Sequence, residues 1–365
     1  MDTYLDDHIF MNKKNEIKNI LLIKMSALGD VVMTLPTLAA LKKHYPGTAI
    51  DWLVEPAAAG LLAGHPYLNR VLVSPRPDLK ALAAKGQFRR ARLLLTDFLR
   101  DLGRINYDVV LDLQGLLKSG LMTFLARGRR KIGFDRTREG AHLFLNEKMP
   151  PYDPEEHAAL RYLKAAAYLG AAGPADDPPP RYYETPPEAE QGAEAMLGPA
   201  WNEGFLVLNP GAKWATKLWP PGHWRTMAEG LAEETGLKLV LTGGPEDALM
   251  AEEICRVAPG MAVNLCGRTS LPELAAILAR ARLMVSADTG PLHLGAAVGA
   301  GGLALFGPTR PNRTGPFGGR FEIMRPPLDC LGCLKKRCPR PCLAVLHPAA
   351  VRARLKAKLV EERAS

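Results

Sequence analysis

The feature that most constrains this chain is a repeated unit: a short apolar run, a glycine-containing turn, then a segment with helical spacing. Ile17 to Met25 (IKNILLIKM) runs directly into Ser26-Ala-Leu-Gly-Asp30 and then VVMTLPTLAALKKHYP. An apolar run too short for a helix, followed by spacing of period 3.6, predicts strand, turn and helix. That is the opening of a doubly wound α/β domain. The same reading predicts strands at 49–55, 70–74 and 107–113 and helices at 115–127 and 156–169. Between about residues 171 and 200 the composition shifts to proline, glycine and acid, the make-up of an interdomain connector. A second series follows, with strands predicted at 205–209, 237–242, 262–265, 282–287 and 302–306 and helices between them. The expected organisation is therefore a polar tail over 1–16 and α/β domains over 17–170 and 201–345. A connector over 171–200 joins them, and a basic helix over 346–365 closes the chain.

Composition narrows the class of partner. Lys plus Arg number 47 against 38 Asp plus Glu, a net charge of +9. The excess predicts an anionic partner: nucleic acid, a phosphorylated small molecule or an acidic membrane surface. The longest stretch without a charged residue, 289–309, holds six glycines and two prolines, which suits buried α/β core rather than a membrane helix. The first 18 residues are polar and lack an apolar signal core, so a cytosolic protein is expected. Four of the six cysteines cluster as Cys330-x2-Cys333-x4-Cys338-x3-Cys342. In a cytosolic chain that spacing makes them candidates for a structural zinc or iron–sulfur site, with reduced structural thiols as the alternative.

Four motifs carry chemistry. Asp30 follows the first strand, where Gly29 allows close approach of backbone, and a carboxylate there can take a proton from a ligand hydroxyl. Asp in that position is otherwise an ordinary helix cap. The turn Leu208-Asn-Pro-Gly-Ala-Lys213-Trp-Ala-Thr216-Lys217 offers ammonium groups to phosphate, yet lacks the Walker A spacing. Ser286-Ala-Asp288-Thr289-Gly290-Pro-Leu-His293 ends a strand and opens a helix, whose dipole and free amides favour anions. Its Asp-Thr-Gly triplet sits in an α/β series, which excludes an aspartic protease. Thr242-Gly-Gly-Pro-Glu246-Asp247 places acids where such halves bond ribose hydroxyls. No G-x-G-x-x-G follows either opening strand, so a dinucleotide-dependent dehydrogenase is not expected.

Taken together, Lys24-Met-Ser26-Ala27-Leu-Gly29-Asp30, Asp112-Leu-Gln-Gly-Leu-Leu-Lys118, Thr216-Lys217-Leu-Trp219-Pro, Asp288-Thr289-Gly290-Pro-Leu-His293 and Phe306-Gly-Pro-Thr-Arg-Pro311 resemble glycosyltransferase family 9, the heptosyltransferases. The likeness runs from about residue 17 to the C-terminus. Asp135-Arg136-Thr-Arg138-Glu139 resembles the pattern of the type I members. The resemblance implies a GT-B fold, two Rossmann-like domains facing each other across a cleft. It implies inverting, metal-independent transfer of heptose from ADP-heptose to Kdo or heptose of the lipopolysaccharide inner core.

Asp30 is then the general base, and Lys217 holds the diphosphate. Ser26, Ala27, Gly29, Thr216, Asp288, Thr289, Gly290 and His293 line the donor, and Glu246 or Asp247 takes the ribose. Lys24, Lys118, Arg136 and Arg138 would meet the acceptor. No cofactor is expected for catalysis. The expected partners are ADP-heptose, Kdo-lipid A or core oligosaccharide, and the anionic cytoplasmic leaflet of the inner membrane, with no nucleic acid and a monomeric chain. Two other readings compete. One is a family member using another nucleotide sugar for a different surface glycan. The other is a non-catalytic nucleotide binder, which the joint presence of Asp30 and Lys217 disfavours.

Overall fold

A computed structural model describes residues 17–171 and 179–364, and its backbone divides into two compact units. The predicted tail over 1–16 lies outside the described residues, as does 172–178 of the predicted connector. Of the described residues, the first unit is built from 17–25, Leu38–Tyr152 and 165–171. Its sheet contains β1 (Asn19–Ile23), β2 (Ala49–Val54), β3 (Arg70–Val73), β4 (Tyr107–Asp112), β5 (Gly128–Phe134) and β6 (Glu147–Met149). All pairs are parallel, in the order β3-β2-β1-β4-β5-β6.

The second unit gathers Ser26–Thr37, Asp153–Lys164 and the described residues from 179 to 364. Its strands are β7 (Phe205–Asn209), β8 (Lys238–Leu241), β9 (Ala262–Asn264), β10 (Leu283–Ala287), β11 (Gly301–Leu305) and β12 (Arg320–Met324). They are also parallel, in the order β12-β11-β10-β7-β8-β9. Counted from its own first strand, each sheet has the 3-2-1-4-5-6 order of a Rossmann domain. Each therefore reverses direction once, between β1 and β4 and between β7 and β10, and ligands bind beyond the strand ends at such points.

The predicted strands at the sheet centres are present because their apolar runs are buried on both faces, as parallel sheets require. Three strands have no counterpart in the sequence reading: β5, β6 and β12. β5 (GRRKIGF) and β12 (RFEIM) carry charges at exposed or half-buried positions, so they lack the apolar run that marks a central strand. Within 171–200, Pro187–Leu197 forms a helix and buries Ala189, Ala193 and Leu197. The C-terminal helix Pro348–Ala364 is basic, yet Val351, Leu355 and Leu359 join the core of the second sheet beside Trp219, Trp224 and Leu231. That i, i+4, i+8 stripe makes the helix part of the domain.

β10 is placed by one glycine. Gly302 on β11 has φ +150°, and a Cβ there would lie 1.9 Å from the Met284 carbonyl oxygen of β10. Gly302→Ala is expected to destabilise the fold by about 3 kcal/mol, the combined cost of overpacking and an unfavourable backbone angle. Urea unfolding followed by circular dichroism checks this; an unchanged midpoint contradicts it.

Candidate active site

The site residues are built onto the second unit by two short helices that lean on each other. Leu28–Val32 is only five residues long, and Asp30 is its third residue. Ala27, with extended backbone, occupies the cap position, and its N–H donates to Asp30 Oδ2 at 3.2 Å. One carboxylate oxygen therefore serves the helix end, as the ordinary reading of an Asp in this place has it. The other, Oδ1, accepts the Tyr162 hydroxyl at 2.7 Å. Tyr162 is buried on Ala158–Tyr168, and the turn before that helix is fixed in turn. Glu155 pairs with Arg310 at 2.8 Å, and His157 Nε2 bonds the Gly315 carbonyl at 3.1 Å while stacking on Phe317. Sequence spacing gives no hint of the Tyr162 contact, because it joins positions 132 residues apart.

The partner helix, Gly290–Ala297, follows β10 directly. Glycines permit the approach from both sides. A Cβ on Gly29 would lie 2.5 Å from His293 Cδ2, and one on Gly290 would lie 2.7 Å from Leu28 Cδ2. His293 therefore sits against the backbone one residue before Asp30. It is buried, and among the described residues its Nδ1 has no hydrogen-bond partner.

Asp288, at the end of β10, ties the site together. Its Oδ2 accepts Lys217 Nζ at 2.7 Å, its Oδ1 lies 3.3 Å from His293 Nε2, and its carbonyl accepts Lys217 at 3.0 Å. Both partners of the ion pair are largely buried. Burial alone would raise the Asp288 pKa. The His293 hydrogen bond and the Lys217 charge outweigh it and hold the carboxyl at about 2. Lys217 emerges from the short turn Ala215–Lys217 and lies 4.7 Å above the Trp214 ring, where Lys336 also stands at 5.3 Å. Thr289 and Gly290 open the helix, so the amides of its first turn have no partner within the helix and suit an anion.

Around the point between β7 and β10 lies a buried polar knot absent from the sequence reading. Asn209 Nδ2 is 3.4 Å from Ser286 Oγ, Thr289 Oγ1 and the Gly211 carbonyl, and its Oδ1 accepts the Thr242 hydroxyl at 3.3 Å. It fixes the two strand ends and the Thr289 backbone. On the β8 side, Asp247 Oδ2 accepts the Gly244 N–H at 2.9 Å and crowds Gly211 and Gly243. Burial, with the neighbouring Glu246, raises its pKa. Glu246 is exposed, its carboxylate folded over Gly244. Thr216 is buried and donates its hydroxyl to the Lys335 carbonyl at 2.7 Å, which secures the cysteine-bearing loop.

Of the predicted residues, Ser26, Ala27, Gly29, Asp30, Thr216, Lys217, Glu246, Asp247, Asp288, Thr289, Gly290 and His293 all fall in the second unit. Lys24, Lys118, Arg136 and Arg138 fall in the first. Lys24 is buried with its ammonium on the Leu113 carbonyl at 3.2 Å, and Lys118 pairs with Glu55 at 2.9 Å. Arg136 and Arg138 are exposed.

The metal expectation for the cysteines gains no support. All four thiols are free, and among the described residues no group of three or more His, Cys, Asp or Glu could hold a metal ion. Cys330, Cys333 and Cys338 are exposed, Cys342 is half-buried against Gly307, and Cys338 Sγ bonds the Arg340 carbonyl.

Because Asp288 is held below the roughly 3.9 of an aspartate in an unfolded chain, its ionised form favours the folded state above about pH 4. That contribution is lost as the pH falls through about 2. Asp288→Asn is expected to cost about 2–3 kcal/mol at pH 7 and to flatten the stability curve between about pH 4 and 2. Denaturant midpoints measured across that range check this, and parallel curves for the two proteins contradict it.

A family model for glycosyltransferase family 9 (heptosyltransferase) matches residues 95–344. The chain is 35% identical over 327 residues to lipopolysaccharide heptosyltransferase 1 of Pseudomonas aeruginosa, covering 87% of each protein. It is 31% identical to the protein of that name from Escherichia coli K12, covering 86% of this chain and 95% of the relative. Among solved structures it resembles E. coli heptosyltransferase WaaC with ADP, with TM-score 0.76, 29% identity, and coverage of 93% of this chain and 99% of that one. WaaC with ADP-2-deoxy-2-fluoro heptose gives TM-score 0.74 at 30% identity, with the same coverage. The two Rossmann sheets are those of a GT-B fold, and the chain belongs to glycosyltransferase family 9, the heptosyltransferases.

Proposed function

We propose that this glycosyltransferase moves heptose from ADP-heptose to a Kdo residue of the lipopolysaccharide inner core, with inversion at the transferred carbon. The donor class follows from what the relatives above are named for and from the site's own chemistry. The observation that carries the reading is the placement in one compact unit of a carboxylate, Asp30, and a cationic anchor, Lys217, linked through Asp288, His293 and Gly29.

An inverting displacement needs a base on the acceptor hydroxyl and charge stabilisation on the departing ADP. Asp30 Oδ1 is the base; the Tyr162 hydroxyl holds it in orientation while Oδ2 stays on the helix end. Lys217, together with the amides at Thr289 and Gly290, takes the diphosphate. An ammonium has three donors, so Lys217 can meet phosphate without leaving Asp288. Asp288 keeps Lys217 extended towards the helix mouth and orients His293. This supply of positive charge lets the reaction run without a metal ion. Glu246, exposed beside the β8 turn, takes the ribose hydroxyls, because Asp247 is already held by the Gly244 amide. Lys24, Lys118, Arg136 and Arg138 of the first unit serve the anionic acceptor. Such an acceptor is made in the inner membrane, so the enzyme works peripherally on its cytoplasmic face. Among the described residues no helix is long and apolar enough to cross a membrane.

Asp30→Asn is expected to lower kcat by about 10³-fold while leaving ADP affinity within about twofold. Lys217→Met should instead weaken ADP binding by at least about tenfold. Calorimetric ADP titration alongside ADP-release assays with ADP-heptose and Kdo2-lipid A separates the two; turnover retained in Asp30→Asn would overturn the assignment of the base. Adding a chelator should leave the rate unchanged. Tyr162→Phe should lower kcat by about tenfold with unchanged ADP affinity, and equal losses in both would mean that Tyr162 serves only the fold.

A further inference from the structure

The helix Leu117–Leu125 of the first unit is inside out. Its buried residues are Ser119, Gly120 and Thr123. Its exposed ones are Leu117 at 52%, Leu121 at 45%, Phe124 at 60% and Leu125 at 38%. Positions i, i+4, i+7 and i+8 share one helix face, so the apolar stripe points outward. The buried face is fixed by polar contacts and close packing. The Ser119 hydroxyl donates to Asp112 Oδ2 at 2.9 Å, and a Cβ on Gly120 would lie 2.7 Å from Phe144. The segment that packs there, Arg138–Phe144, adds Leu143 at 75% exposure. Nothing in folding calls for this inversion, and exposed apolar stripes of this kind mark interaction surfaces.

The charges beside the stripe say what it meets. Lys131 donates to the Phe124 carbonyl at 2.8 Å and stands 5.6 Å over its ring. Arg127 and Arg129 are exposed just past the helix end. Of the nearby acids, Glu139 is engaged by the Leu117 N–H at 3.1 Å, while Asp97 and Asp101 line one hollow with Arg127, Arg100 and Arg104. A second copy of the chain would bring like charges face to face. An apolar stripe bordered by cations fits an anionic lipid surface, the stripe entering the interface and the arginines meeting headgroup phosphates.

We propose that the outward face of helix Leu117–Leu125, with Leu143, docks the enzyme on an anionic bilayer. This deepens the reading above, in which the acceptor is lipid-linked. The test is co-sedimentation of the full chain with vesicles of phosphatidylethanolamine and phosphatidylglycerol, and with vesicles of phosphatidylcholine alone. The wild type should partition onto the anionic vesicles and lose binding as salt rises. L121Q/F124Q should lower that partition by at least about tenfold. Arg127→Gln with Arg129→Gln should weaken it and reduce its salt dependence. The L121Q/F124Q variant should keep its thermal midpoint and its turnover on a water-soluble, deacylated acceptor. Equal binding to both vesicle types, or partition untouched by L121Q/F124Q, overturns the proposal. So does a wild-type dimer that the same pair of substitutions dissociates, since the face would then join two copies. Vesicle binding is read without turnover, so a chain that partitions as described yet transfers no heptose supports the docking face and sinks the functional reading alone.

Discussion

The site depends on one buried carboxylate, Asp288. An ionised group taken out of water is costly unless it is paired and hydrogen-bonded. Asp288 meets that condition with Lys217 on one oxygen and His293 on the other. The consequence is geometric. Lys217 is held at the mouth of a helix, and His293 is held against Gly29, one residue from Asp30. The groups proposed above to stabilise a departing diphosphate and to receive an acceptor proton are thereby tied by a short chain of contacts. Substitution at Gly29 or Gly290 would push apart the helices that carry them, since either Cβ falls well inside contact distance. These glycines are needed for closeness and not for an unusual backbone angle.

Much of this was legible in the sequence where local pattern decides structure. The central strands announced themselves as apolar runs because parallel strands are buried on both faces. The motifs around Asp30, Lys217 and Asp288 lie at strand ends, the places where Rossmann-ordered sheets bind ligands. What the sequence did not show depends on contacts between distant positions. Tyr162 reaches Asp30, and Asn209 collects Ser286, Thr289 and Thr242, with no spacing to reveal either. The strands β5, β6 and β12 were hidden by their charges. The spacing of Cys330, Cys333, Cys338 and Cys342 suggested a metal, but the described residues hold no group that could bind one, and three of the thiols are exposed.

The boundary between the two compact units also cuts across the simple halves that the sequence suggested. Ser26–Thr37 and Asp153–Lys164 come from the front half of the chain yet belong with the second sheet. Asp30 and Tyr162 therefore share a compact unit with Lys217 and Asp288. The first unit carries the exposed Arg136 and Arg138 and the outward apolar helix. On this reading, handling of the nucleotide sugar and contact with a lipid-borne acceptor are divided between the units.

The most direct measurement is a crystal structure of this chain with a non-transferable 2-fluoro analogue of ADP-heptose. The account predicts the diphosphate on Lys217 and the Thr289 and Gly290 amides, with the Asp30 carboxylate facing the anomeric carbon from the side opposite the leaving group. A diphosphate bound away from Lys217, or Asp30 lying on the leaving-group side of the sugar, would contradict it.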